Sequence, residues 1–317
     1  MATRRSFLRS SFGTAVWLAA GAGGAWLLRD QVLWPTPDQS AVDGPESSGW
    51  LPFVARGRLV TVDVGLNGQR VTALLDSGAQ YSAVDRAYAQ TAGLSGGGLA
   101  PPLVAYGVGG QPQLGRSARV DLTLGALAVR GLRIASLALG PLAQAIGAPV
   151  PLILGQDVLQ ALVADIDFPR RRVSFHRSEA FRPPAGAETS TAAQRVGRAV
   201  HVDVTVEGRP LNVLVDTGSS AALALSTETA TAAGLLDGRP VRRNRSVVLG
   251  GATEGGVVRA ERLTFGDQVL RDVDVQLFQP VAVPGFPKGL LGVEALRRRR
   301  VMLDLSRGEL HFAGPPN

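Results

Sequence analysis

The sequence predicts an all-β protein, mostly strands with short helices, built as two duplicated lobes joined by a linker. Three observations predict it. The 317 residues include 39 glycines and 20 prolines, a mixture that favours short strands and tight turns over a helical bundle. The second half of the chain repeats the first in order. Each half also carries an Asp-Ser/Thr-Gly triplet directly after an apolar, strand-like run.

The repeat is read by placing Arg58-Leu59-Val60-Thr61-Val62-Asp63-Val64 above Arg198-Ala199-Val200-His201-Val202-Asp203-Val204. From there Gly68 falls on Gly208, and Leu74-Leu75-Asp76-Ser77-Gly78 on Leu214-Val215-Asp216-Thr217-Gly218. Ala92-Gly93-Leu94 matches Ala233-Gly234-Leu235, and Gly109-Gly110 matches Gly250-Gly251. Later Ile153-Leu154-Gly155 meets Leu290-Leu291-Gly292, Asp157 meets Glu294, Asp167 meets Asp304 and Phe175 meets Phe312. Matches that keep one order over a half-chain mark a duplication.

Each half then reads the same way. An alternating strand (58–66, 198–206) turns at Asn67-Gly68 or Glu207-Gly208, the first being a strong hairpin signal. A second strand (70–75, 210–215) is almost wholly apolar and is expected to be buried. The Asp-Ser/Thr-Gly turn follows, then a short helix ending near Gly93 or Gly234. A glycine-rich hairpin, an apolar-apolar-Gly strand, another short helix and a closing strand complete the unit.

Outside the repeat the chain divides into an export signal or membrane anchor (1–28), a tether (29–51) and an inter-lobe linker (179–194), leaving lobes at 52–178 and 195–314. Thr3-Arg4-Arg5-Ser6-Phe7-Leu8-Arg9 resembles the twin-arginine export signal, and no charge follows until Arg29. A cationic start before an apolar run is a targeting segment, about long enough to span a bilayer core if retained. It places the bulk of the chain in the periplasm or otherwise outside, with residues 10–28 as a candidate inner-membrane anchor. The linker carries Pro183-Pro184-Ala185-Gly186 among Ser, Thr and Ala.

Composition removes several chemistries. There is no cysteine, so thiol nucleophiles, disulfides and thiolate metal sites are excluded. The three histidines, His176, His201 and His311, stand in no metal-ligand spacing, and no metal or cofactor is expected. His201 and His311 lie in strand-like alternation and are expected to face solvent. The formal charge is +7, but aromatics do not interleave with the basic runs at Arg170–Arg172 and Arg297–Arg300, so nucleic acid is not an expected partner. Those runs read as solvated turns, with attraction to anionic membrane as a lesser possibility.

The two triplets carry the chemistry. One Asp before Ser-Gly is ordinarily a turn residue bonding its own backbone. Two, at equivalent points of duplicated lobes, can meet. Carboxyls sharing a low-dielectric site cannot both ionise cheaply, so they share a proton; aspartic proteases are the standard worked example of this effect.

With these residues in place the chain resembles the retropepsin/pepsin clan of aspartic peptidases, in the single-chain, two-lobed bacterial form. Leu75-Asp76-Ser77-Gly78-Ala79 looks like the retroviral version of the loop and Val215-Asp216-Thr217-Gly218-Ser219 like the pepsin version. The resemblance covers about residues 52–314 and implies peptide-bond hydrolysis by a water held between Asp76 and Asp216. It implies that Ser77 and Thr217 tie the two loops together and that Gly78 and Gly218 allow their close approach. It also implies substrate-covering flaps at the glycine-rich hairpins, with Tyr106, Gly109, Gly110, Gly250 and Gly251 as candidates. Peptide or protein is the implied partner. The alternative is an inactive peptide-binding protein of the same fold.

One asymmetry invites a further expectation. Ala79 follows the first triplet and Ser219 the second. A Ser219 hydroxyl bonded to the carboxylate would make Asp216 the more readily ionised member and leave the shared proton on Asp76.

Overall fold

The computed structural model describes residues 41–94, 103–106, 112–191, 198–248, 251–281 and 286–314. The anchor reading of residues 1–28 lies outside them. Among the described residues no helix is long and apolar enough to cross a membrane.

Two lobe sheets and a shared sheet are formed by the described residues. Lobe 1 contains β1 (Val42–Asp43), β3 (Thr61–Leu66), β4 (Gln69–Leu75), β5 (Ala83–Asp85), β6 (Leu103–Tyr106), β7 (Pro112–Leu124), β8 (Leu127–Leu137) and β9 (Leu152–Leu154). Their order is β1-β8-β5-β9-β4-β3-β7-β6. Lobe 2 contains β13 (His201–Val206), β14 (Arg209–Asp216), β15 (Leu223–Ser226), β16 (Arg242–Val248), β17 (Gly251–Phe265), β18 (Gln268–Phe278) and β19 (Gly289–Gly292), ordered β13-β14-β19-β15-β18-β17-β16. Short helices punctuate both: α1 (Arg86–Thr91), α2 (Gly140–Ile146) and α3 (Gln156–Leu159) in lobe 1, α4 (Thr227–Ala232) and α5 (Val293–Leu296) in lobe 2.

The duplication expected from sequence is present as geometry. Asn67 and Gly68 both have positive φ (49° and 81°), the turn that matches strand twist. Glu207 and Gly208 repeat it at 48° and 78°. Glutamate tolerates this backbone poorly, and here its carboxylate is held by the Glu261 N–H at 2.7 Å and by Arg239 at 3.1 Å. The apolar second strands, β4 and β14, each run parallel to the apolar-apolar-Gly strand, with Leu74 opposite Ile153 and Leu214 opposite Leu290. Asp85 caps α1 by accepting from Ala87 and Tyr88 N–H, and Ser226 caps α4 by accepting from Thr229 N–H.

The third sheet joins the lobes. It comprises β2 (Ser47–Pro52), β10 (Leu162–Asp167), β11 (Arg172–Arg177), β12 (Glu188–Ser190), β20 (Arg300–Asp304) and β21 (Glu309–Ala313), ordered β12-β21-β20-β10-β11-β2. The seam is β10 against β20, with Ala164 opposite Leu303. One face, with Leu162, Ala164, Ile166, Val301 and Leu303, belongs to the main core. The segments read as tether and linker are not slack where they are described. Residues 47–52 form an edge strand on β11, and 188–190 pair with β21 while Phe181 packs on Val163 and Met302.

That cover overturns the expectation for two histidines. His311 is only 2% exposed, because Phe181 packs against its ring and β12 pairs along the edge of β21 with Thr189 opposite it. His201 is also buried, its Nδ1 bonded to Asn212 Oδ1 at 2.9 Å. The arginine runs are likewise not merely solvated. Arg300 binds the fully buried Asp165 across the lobe seam through two bonds of 2.7 and 2.5 Å. Arg172 and Arg170 bind buried Asp167, and Arg172 and Arg300 both stack on Trp50. Buried carboxylates demanded these cations, and no local pattern announces such partners.

Candidate active site

Each triplet leaves its strand at the same point. The Asp76 N–H bonds the Leu154 carbonyl at 3.0 Å, continuing the parallel pairing of β4 with β9, and the loop then turns back through Ser77 and Gly78. Asp216 ends β14 opposite Gly292. Asp216 is 9% exposed and Asp76 half-buried, while Ser77 and Thr217 are fully buried.

The loops are tied by a reciprocal exchange. The Thr217 hydroxyl accepts from the Ser77 N–H at 3.0 Å and donates to the Leu75 carbonyl at 2.8 Å. The Ser77 hydroxyl accepts from the Thr217 N–H at 3.1 Å and donates to the Val215 carbonyl at 2.7 Å. Each hydroxyl thus satisfies a buried donor and a buried acceptor in the opposite lobe, which a residue without a hydroxyl would strand.

The carboxyls meet at the centre. A β-carbon on Gly78 would stand 2.7 Å from the Asp216 carboxyl, and one on Gly218 would stand 2.5 Å from that of Asp76. Only glycine fits either place. Burial raises the pKa of both acids above the ordinary range; for Asp216 the charge of Asp76 raises it well further. A hydrogen bond between the carboxyls holds Asp76 down and Asp216 up.

This corrects the expected asymmetry. The Asp76 carboxylate accepts N–H bonds from Gly78 and Ala79, both at 3.0 Å. Asp216 accepts from Gly218 at 2.8 Å and from the backbone N–H of Ser219. Among the described residues no bond joins the Ser219 hydroxyl to Asp216; its oxygen instead lies beside Gly292, 3.0 Å from where a β-carbon would stand. Loop N–H support is thus matched, two donors on each carboxyl, and the hydroxyl expected to tip it towards Asp216 is not bonded there.

Three residues bracing the lobe-1 loop escaped the sequence reading. The Gln156 side-chain amide donates to the Ser77 carbonyl at 2.9 Å, and its backbone N–H to the Ala79 carbonyl at 2.9 Å. Asp157 is buried and accepts from the Ser82 N–H at 2.9 Å and the Ser82 hydroxyl at 2.6 Å, with burial pushing its pKa up to about 6. Its repeat partner Glu294 turns outward to Arg58 and Arg297 instead. The available signal was Ser82, which stands where lobe 2 has Ala222.

Of the flap candidates, Tyr106 closes β6, and Gly251 opens β17 with φ of 120° in the hairpin formed with β16. Gly109, Gly110 and Gly250 lie outside the described residues.

A sequence profile described as aspartyl protease matches residues 60–158 and 202–295, one stretch in each lobe and each containing one Asp-Ser/Thr-Gly loop. No curated protein matches the chain.

Proposed function

Because this chain belongs to the aspartyl protease family, we propose that it is an endopeptidase whose Asp76 and Asp216 share one proton and activate a water for attack on a peptide bond. The observation that carries this reading is the mutual seating of the carboxyls, each packed against the glycine of the opposite loop. Asp76 acts as the ionised member and takes a proton from the water, its charge held by the Gly78 and Ala79 N–H groups. Asp216, which holds the proton, polarises the scissile carbonyl. As the amine leaves, the roles reverse and the pair returns to its singly protonated state. Extended peptide or protein is the substrate class.

The test is cleavage of a mixed peptide library by the wild type, Asp76→Asn and Asp216→Asn, with thermal shift by a statine-type transition-state inhibitor alongside. Loss of cleavage in both variants with retained folding is the expected result. Near-normal cleavage by either variant contradicts the shared site, and absence of cleavage by wild type with retained inhibitor binding would favour a peptide-binding role.

We further propose that residues 1–28 direct export by the twin-arginine route and that the lobes work in the periplasm, on the ground of Arg4-Arg5 and the uncharged run that follows. Replacing both arginines by lysine should leave the protein in the cytoplasm; unchanged export would point to the general secretory route.

A further inference from the structure

The inter-lobe sheet is made from equivalent hairpins, and at one place in them a cation is replaced by an acid. In lobe 1, Asp167 stands opposite Arg172 across β10 and β11, and the two form an ion pair at 3.2 Å. At the equivalent place in lobe 2, Asp304 stands opposite Glu309 across β20 and β21. Two carboxylates directly opposite each other on one face repel. Two residues further along that face of β21, where lobe 1 has Ser174, lobe 2 has His311.

The imidazole is oriented for a role. Its Nδ1 is bonded to the Thr189 hydroxyl at 2.8 Å, and its Nε2 lies 3.4 Å from Glu309 Oε2, buried and in no hydrogen bond. His311 is 2% exposed and Asp304 fully buried. With Nδ1–H donating to the Thr189 hydroxyl, the Nε2 lone pair faces Glu309; Asp304, the other acid, is held by the Ser306 hydroxyl and by the backbone N–H and guanidinium of Arg307. Asp304, Glu309 and His311 each offer one ligand atom, and these atoms lie within 4.8 Å of one another.

We propose that Asp304, Glu309 and His311 form a structural site for a divalent transition-metal ion of the zinc type, with water completing its shell. One imidazole and two carboxylates suit zinc better than calcium or magnesium, which prefer all-oxygen shells. The Thr189 bond is the outer contact that fixes the imidazole of a metal ligand. Ligand bonds of about 2.0–2.2 Å require a small inward closure, which the half-buried Glu309 side chain can make. The ion replaces the positive charge that Arg172 supplies in lobe 1. Arg307 is its competitor, since it binds Asp304 Oδ2 at 2.6 Å. The site lies on the face of the inter-lobe sheet opposite the main core and takes no part in the dyad chemistry.

The test uses the full chain, freed of metal by chelator and titrated with zinc chloride in a calorimeter, with melting temperature followed in parallel. One site per chain and a higher melting temperature are expected with zinc, and no change with magnesium at the same concentration. Glu309→Gln and His311→Asn should each weaken binding by more than about 100-fold, beyond the usual effect of losing an outer contact. His176→Asn should bind as wild type, and Arg307→Ala should bind more tightly. Should His311→Asn fail to fold, the partly exposed Glu309 variant decides alone. No binding by the wild type, or wild-type affinity in Glu309→Gln, overturns the proposal.

Discussion

Gly78 is the seat of the Asp216 carboxyl: a β-carbon there would stand 2.7 Å from both its Cγ and its Oδ1. Gly218 serves Asp76 in the same way. A single methyl group at either position must therefore push one carboxyl away from the other. Gly78→Ala and Gly218→Ala should each reduce kcat/KM by about 100-fold or more, the usual consequence of displacing a reacting group by about 1 Å. Steady-state kinetics on a defined peptide, with a folding check by circular dichroism, measures it. Near-normal kinetics in both variants would mean that the carboxyls do not have to stay paired.

The exchange between Ser77 and Thr217 makes a prediction about stability. Thr217→Val keeps the shape but strands the Ser77 N–H and the Leu75 carbonyl, both now satisfied by the Thr217 hydroxyl. At about 1–3 kcal/mol for each buried group left unpaired, the loss should be roughly 2–6 kcal/mol in denaturant titration. Thr217→Ser retains the oxygen and should lose less than about 1.5 kcal/mol. Equal losses for the two would show that the methyl packing, and not the hydroxyl, holds the loops together.

How far the sequence could be read depends on the range of the cause. The hairpin at Asn67-Gly68, the buried strands β4 and β14, and the caps of α1 and α4 follow from local backbone preference and alternation. The duplication made Asp76 and Asp216 equivalent before any coordinates. What failed was set by partners distant in the chain. His311 looked exposed because β21 alternates correctly, yet Phe181 from the linker closes over that face. Arg300 looked solvated because it closes a run of four arginines; its partner Asp165 lies across the lobe seam. Asp157 was matched to Glu294 by position, whereas the identity of residue 82 or 222 decides whether the acid turns inward.

Asp157 gives a pH-dependent signature of its own. Its folded-state pKa is raised to about 6, above the unfolded value near 3.9. The folded chain therefore binds this proton more tightly, and stability falls as pH rises from about 4 to about 6. Ionising Asp157 costs roughly 3 kcal/mol across that window. Other raised groups, the dyad included, add slopes of the same sign, so the informative quantity is the difference between wild type and Asp157→Asn. Denaturant titrations at pH 4 and 6.5 should show a smaller pH-dependent loss in the variant. Parallel loss in both would mean that Asp157 does not titrate in this range.

The position after the second glycine gives the sharpest test of how the dyad shares its proton. Activity requires one proton on the pair, so the acidic limb of the pH–rate profile reports addition of the second proton and the alkaline limb loss of the first. Both acids are raised by burial, and Asp216 the more by the Asp76 charge. Both limbs of kcat/KM should then lie above the ordinary carboxylate range. The acidic limb follows the stability of the anion of the singly protonated pair, which rests on the loop N–H groups of Gly78, Ala79, Gly218 and Ser219. Among the described residues the Ser219 hydroxyl makes no bond to Asp216 and lies beside Gly292. Ser219→Ala should accordingly leave the acidic limb where it is, within a few tenths of a pH unit. A clear upward movement of that limb would instead mean that the hydroxyl reaches Asp216 in the working enzyme and that Asp216, not Asp76, is the ionised partner.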